Sequence, residues 1–297
     1  MSNLPSAFKT PQGEAQYMAA YEASLRLWTV GYETADIPSR FGSTHLVACG
    51  PKDAPPLVLL HAFLASLTMW AYNMADLSRD YRVYALDVMG QPSKSVPDQP
   101  IRNREDFVEW LTACLDALKI GQAHLAGMSY GGWLTLNYAM RAPERLKKIV
   151  LLSPAGGLLP LVRLFYLRGM LLSLLPSRSR TNGFMGWMTY PPNLEDASGR
   201  KIFDCLVDQM YLGVKHFSIQ ASVLPGAYQD VELRGVKNPT LLLIGRQEVI
   251  YNPAAAVERA KRLMPSIRAE LVPEASHDMT MSKAKIVNQK ILEFLRE

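Results

Sequence analysis

The sequence predicts an α/β fold in one domain, a mostly parallel central sheet flanked by helices and interrupted by a helical cap insertion. Two observations carry this. Short, continuously apolar runs of strand length alternate with stretches of helix length, the pattern of strands buried on both faces. The alternation breaks once, between about residues 156 and 234, and then resumes, so that interval reads as an insertion rather than a second domain. A chain of 297 residues can bury the core that such a sheet needs.

The elements follow in order. An N-terminal helical extension covers about residues 1–40, with Tyr17, Met18, Tyr21, Leu25 and Trp28 at helical spacing. Strands are expected over residues 44–48, 57–60, 81–86, 124–128 and 149–152, and after the insertion over 240–244 and 269–272. Helices are expected over residues 64–78, 104–118, 131–141, 253–264 and 283–295. Inside the insertion Phe184, Met185, Trp187, Met188 and Tyr190 form an aromatic and thioether cluster, followed by Pro191 and Pro192. A roof over a pocket and internal packing of the insertion fit this cluster equally well.

Composition excludes several classes of protein. The chain is 48% hydrophobic and 20% charged, which is ordinary for a folded domain. Its net charge of +5 comes from 32 basic residues dispersed among 27 acidic ones, so solvated helix faces are expected rather than a nucleic-acid footprint. Cys49, Cys114 and Cys205 lie far apart with no CxxC pair, which argues against a disulfide framework or a zinc site and fits a reducing, cytoplasmic setting. The first residues lack the basic start and apolar run of a signal peptide. Residues 158–176 are the most apolar stretch, yet they carry Arg163 and Arg168, so no stable membrane insertion is expected. Arginines flanking leucines over residues 158–180 would also suit a membrane surface; burial over the core is the preferred reading.

Gly127-Met128-Ser129-Tyr130-Gly131 has the form G-x-S-x-G between an expected strand and an expected helix. A serine on such a sharp turn projects its hydroxyl outward, and the small residues on either side let the chain bend without collision. The helix that follows starts with unpaired N–H groups suited to a developing oxyanion. The pentapeptide alone is weak, since a Gly-rich helix cap has the same form; its context and its partners carry the weight.

The serine needs a base, and five histidines are available. His45 and His124 sit in or beside strands, His216 lies in the insertion, and His61 precedes the nucleophile. His277 follows the last strand, on the sheet edge where loops after strand C-termini gather, and is taken as the base. Glu248, four residues past the strand at 240–244 and on that same edge, is taken as the acid that orients it. After the strand at 57–60, the turn His61-Ala62-Phe63 would present the Phe63 N–H opposite that of Tyr130 as a second oxyanion donor. An ordinary strand-to-helix turn fits that segment nearly as well. His61, Trp187 and Met188 are assigned to the substrate pocket.

These segments resemble the α/β-hydrolase superfamily over essentially the whole chain beyond the first helix. The His61-Ala62-Phe63 turn is similar to the family's His-Gly-x oxyanion element, with Ala62 in place of glycine. Asp87-Val-Met-Gly90-Gln-Pro-Ser-Lys-Ser95 is similar to its Asp-x-x-Gly-x-x-x-Ser loop, and Ser153-Pro154-Ala155-Gly156 to the exit into its cap. Glu248 stands where aspartate is commoner. The N-terminal helix and Gly245-x-x-Glu248-Val-Ile-Tyr251 narrow the resemblance to small bacterial carboxylesterase-like serine hydrolases. The resemblance implies hydrolysis of a small-molecule ester through an acyl-enzyme, with no metal and no organic cofactor. Carbon–carbon bond hydrolysis or acyl transfer by the same triad, and a non-catalytic ligand-binding scaffold, are the alternatives. A dehalogenase or an epoxide hydrolase would require aspartate at position 129.

Overall fold

The computed structural model describes residues 6–189, 197–220 and 223–297. Helix α1 (Pro11–Leu25) starts where Thr10 accepts a hydrogen bond from the Gly13 N–H, and it buries Tyr17, Tyr21 and Leu25. There follow β1 (Glu33–Ser39), β2 (Gly42–Cys49), β3 (Pro56–Leu60), a 3-10 turn at Leu67–Tyr72, α2 (Met74–Leu77) and β4 (Arg82–Leu86). Next come β5 (Val96–Pro97), α3 (Arg104–Ala117), β6 (Ala123–Met128), α4 (Tyr130–Arg141) and β7 (Leu146–Leu152). The interval after β7 holds α5 (Arg163–Leu174), α6 (Arg178–Met188), α7 (Ala197–His216) and α8 (Asp230–Arg234). The chain closes with β8 (Thr240–Gly245), α9 (Pro253–Leu263), β9 (Ile267–Val272), α10 (Met279–Ser282) and α11 (Ala284–Arg296).

The strands form one sheet in the order β1-β2-β4-β3-β6-β7-β8-β9, with β5 pairing beside β2. From β4 to β9 the pairings are parallel, while β1, β2 and β5 are joined antiparallel. Side chains alternate between two core layers: Val58 and Leu60 pack on one face of β3, Leu57 and Leu59 on the other. Both faces are therefore apolar, which is why these strands read as unbroken hydrophobic runs. The chain enters the sheet's centre at β3, builds out to β4 on one side, then crosses to β6 on the other. The C-terminal ends of β3 and β6 thus lie at a topological switch point, where the diverging connections leave a crevice.

Three expectations are corrected. Residues 64–78 do not form one helix. Ser66 caps the 3-10 turn through the Thr68 N–H, and the buried Asn73 amide donates to Asn288 Oδ1 at 2.6 Å, which splits the segment into short pieces. The helical extension expected over about residues 1–40 ends at Leu25, and β1 lies within that span; as an edge strand with only Ile37 buried it carries no apolar signal. Residues 158–180 are only partly packed over the core: Leu158 and Leu161 are buried in it, but Leu164, Tyr166, Leu167, Met170, Leu171, Leu174 and Leu175 are exposed, and Leu172 is the one buried residue of α5. None of the described helices is long and apolar enough to cross a membrane.

Candidate active site

Ser129 stands between β6 and α4 with φ +53° and ψ −112°, a conformation that an L residue adopts only under constraint. The constraint is visible. Its N–H donates to the Leu152 carbonyl at 2.9 Å, and its own carbonyl accepts from the Trp133 and Ala155 N–H groups at 3.0 and 2.9 Å. The flanking glycines are required by close approach: a Cβ on Gly127 would lie 2.1 Å from the Gly131 carbonyl oxygen, and one on Gly131 2.1 Å from that of Leu60.

The turn after β9 brings His277 to this serine, with Nε2 2.8 Å from Ser129 Oγ. The ring's Nδ1 lies 2.8 Å from Glu248 Oε2. All three residues are buried. Glu248 Oε1 accepts the Val249 and Ile250 N–H groups at 2.8 and 3.1 Å, so both carboxylate oxygens are engaged. Burial pushes the Glu248 carboxyl up, but the charge and hydrogen bond of His277 and the Ile250 N–H outweigh it and hold the carboxyl below its usual value. The acid loop and the histidine loop are laced by Gln247: its N–H donates to Ala275 O, its side chain accepts the Ala275 N–H, and its carbonyl accepts Ser276 Oγ. The extra methylene of a glutamate is accommodated within this lattice.

The turn after β3 has a selective pattern of satisfied amides. The Ala62 N–H points to Met69 Sδ at 3.3 Å, and the Leu64 N–H donates to Gln91 Oε1 at 3.0 Å. Between them the Phe63 N–H has no protein acceptor among the described residues, and neither does the Tyr130 N–H at the first position of α4. Both residues line the same cavity as Ser129 and His277. Leu64, not Ala62, takes the left-handed conformation, at φ +59°, so the alanine's Cβ costs no backbone strain.

That cavity has a volume of about 380 Å³ and a wall that is almost wholly apolar. Met69, Phe165, Met170, Phe184, Met185 and Met188 contribute to it. Of the residues assigned to a pocket, Met188 lies on this wall, whereas His61 and Trp187 do not. His61 is fully buried and turned away: its Nε2 accepts the Val88 N–H at 2.8 Å, which leaves Nδ1 to donate to the Ala62 carbonyl. Burial pushes its pKa down, so the ring is a neutral clamp on the turn. Trp187 packs behind the wall instead, its ring against Phe184 and under the Arg168 guanidinium at 4.7 Å from the ring centroid. Tyr190, Pro191 and Pro192 lie outside the described residues.

Four residues with a part in this architecture were missed. Gln91 and Met69 hold the turn, and Gln247 holds the two loops. Asp87 accepts from the Leu67 N–H, the Tyr21 hydroxyl and the Lys94 N–H at 2.9, 2.9 and 3.1 Å, tying α1 and the 3-10 turn to the site. Only Asp87 had a motif to mark it; the others act through single side-chain bonds without a sequence pattern. Asp278, next to His277, lines the cavity with its Oδ2 accepting from Thr189 Oγ1 at 2.8 Å, and burial pushes its carboxyl up to about 6.

Comparison with known proteins agrees with this geometry. A family model described as the alpha/beta hydrolase fold matches residues 55–187. The carboxylesterase nap of Bacillus subtilis (strain 168) is 39% identical over 99% of this chain and 97% of its own length. The crystal structure of carboxylesterase CesB (YbfK) from Bacillus subtilis superposes with a TM-score of 0.88 at 35% identity, covering 96% of this chain and 98% of the other. That of naproxen esterase from Bacillus subtilis does so with a TM-score of 0.88 at 37% identity, covering 97% and 99%. A parallel sheet with a strained serine after its central strand, and relatives alike along their whole length, lead to one assignment: the chain belongs to the α/β-hydrolase family.

Proposed function

We propose that this protein is a carboxylesterase that hydrolyses small-molecule carboxylic esters through an acyl-enzyme on Ser129. The observation that carries the reading is the buried relay from Ser129 Oγ to His277 to Glu248, both links 2.8 Å, opening onto an apolar cavity. His277 accepts the hydroxyl proton as Oγ attacks the acyl carbonyl. The oxyanion is received by the Phe63 and Tyr130 amides, while Glu248 fixes the imidazole tautomer and stabilises its protonated form. The imidazolium returns its proton to the departing alcohol, and a water deprotonated by the same ring releases the acid. The interval from β7 to β8 acts as the cap of a single domain, with Phe165, Phe184 and Met188 as its inner wall. The full-length relatives named as carboxylesterases favour esters over carbon–carbon substrates.

The test is labelling with a fluorophosphonate, with the modified peptide identified by mass spectrometry, alongside hydrolysis of p-nitrophenyl acetate and butyrate. Modification of Ser129 with ester turnover is expected. No labelling and no turnover would sink the reading and favour a ligand-binding scaffold. Faster turnover of a vinylogous diketone than of either ester would move the reaction to carbon–carbon cleavage.

A further inference from the structure

Helix α5 leaves an unusual surface in solvent. Tyr166 is 51% exposed, Leu167 56%, Met170 55% and Leu174 69%, and Leu164 and Leu171 lie beside them. At 100° per residue these six side chains cover a broad convex arc rather than the narrow stripe that a partner helix or groove would read. Contiguous apolar surface of this kind marks an interaction site. The segment that carries it is basic: residues 156–189 contain four arginines and no lysine, aspartate or glutamate. Arg178 is neutralised by Asp204 and Asp208 of α7, and Arg168 covers Trp187. Arg163, at the start of α5, and Arg180, just beyond its end, have no carboxylate partner among the described residues. The arc is continuous with the catalytic cavity, because Tyr166 and Met170 are both half exposed and part of the cavity wall. They mark its mouth.

We propose that this face docks on an anionic phospholipid surface, with α5 lying in the plane of the headgroups. The leucines enter the acyl boundary while Arg163 and Arg180 meet phosphate groups. A convex apolar arc with a cation at each end suits a fluid anionic surface better than the recessed, charge-matched face of a protein partner. Docking of this kind would turn the cavity mouth toward the lipid, so that the esters reaching Ser129 are those dissolved in the lipid phase. That consequence rests on the esterase reading; the docking does not, and is measured separately from turnover.

The experiment is flotation of the full-length protein with vesicles of phosphatidylcholine, with and without phosphatidylglycerol. The wild type is expected to float, with about a 30-fold preference for anionic vesicles, since each basic side chain near such a surface contributes roughly fivefold. The L167E/L171E/L174E variant, which alters no cavity residue, is expected to stay at the bottom while hydrolysing p-nitrophenyl butyrate as the wild type does. R163E/R180E is expected to lose the preference for phosphatidylglycerol, and it tests the charge should the leucine variant fail to fold. Wild type that does not float, or leucine variants that float equally well, would overturn the proposal. So would a wild-type dimer that the leucine changes convert to monomer while neither form binds vesicles, because the face would then belong to a second copy of the chain.

Discussion

At Ser129 the backbone sits in a region that costs about 1–3 kcal/mol for a side chain with a Cβ. Three backbone hydrogen bonds hold it there, and none involves the hydroxyl. Ser129→Ala should therefore fold with nearly unchanged thermal stability and lose kcat by on the order of 10⁶, as removal of a triad nucleophile does. Equal activity in that variant would contradict the acyl-enzyme scheme. Gln91 acts one step further out, since its oxygen holds the Leu64 amide and so orients the free Phe63 N–H beside it. Gln91→Leu should lower kcat by about 10- to 100-fold with little change in KM, a fraction of what one oxyanion donor supplies. Gln91→Glu, which keeps an accepting oxygen, should restore most of it. Asp278 gives a prediction with a pH sign. Its carboxyl is raised to about 6 by burial, so in the folded state the charged form is disfavoured. Ionisation thus removes stability as pH rises from about 4 to about 6, and the loss is complete above that. Asp278→Asn, still able to accept from Thr189, should raise Tm at pH 8 and leave it unchanged at pH 4. A gain no larger at pH 8 than at pH 4 would mean that the carboxylate is well solvated.

The elements around the site owe their ends to local chemistry. Helix α3 begins in a capping box: the Asn103 side chain accepts the Asp106 N–H at 2.8 Å, and the Asp106 side chain accepts from the Asn103 N–H. Asn103→Ala should cost about 1 kcal/mol in denaturant unfolding and leave kcat/KM alone, because α3 meets the site only through the packing of α4. Such caps and the strands' apolar runs are short-range signals, which is why β2, β3, β4 and β6–β9 were legible to within a few residues. Edge strand β1 was not, since a strand with one buried side chain differs little from a loop in sequence. Residues 64–78 misled for a related reason. Their apolar spacing suits a helix, but a buried amide pair, Asn73 with Asn288, contributes more than propensity does in a segment this short.

For the molecule as a whole, the cavity decides what the chemistry can act on. An apolar chamber of about 380 Å³ beside the serine should reward each added methylene. At ~0.8 kcal/mol per buried CH₂, kcat/KM for p-nitrophenyl esters should rise about fourfold per carbon from acetate to butyrate. A flat series would mean that the acyl group does not enter this chamber. The insertion spends its apolar side chains on both walls, Phe165 and Leu172 inward and Leu167, Leu171 and Leu174 outward, and only the first set is needed to line a pocket.

By itself the sequence determined the fold class and the strands from β2 to β9 apart from β5, and it marked the three residues that the structure brings into hydrogen-bond contact, because each is written in local form: apolar runs, a G-x-S-x-G turn, a glutamate and a histidine just past strand ends. It did not determine which side chains face the cavity. His61, Trp187 and Met188 looked alike as pocket candidates, yet His61 is spent on Val88 and Ala62, Trp187 lies under Arg168, and Met188 alone reaches the wall. Nor did it show that the leucines of α5 lie in solvent. Orientation depends on partners distant in sequence, which sequence spacing does not encode; only the packing of α4 on β3 and β6, and of α5 and α6 on each other and on α7, decides it.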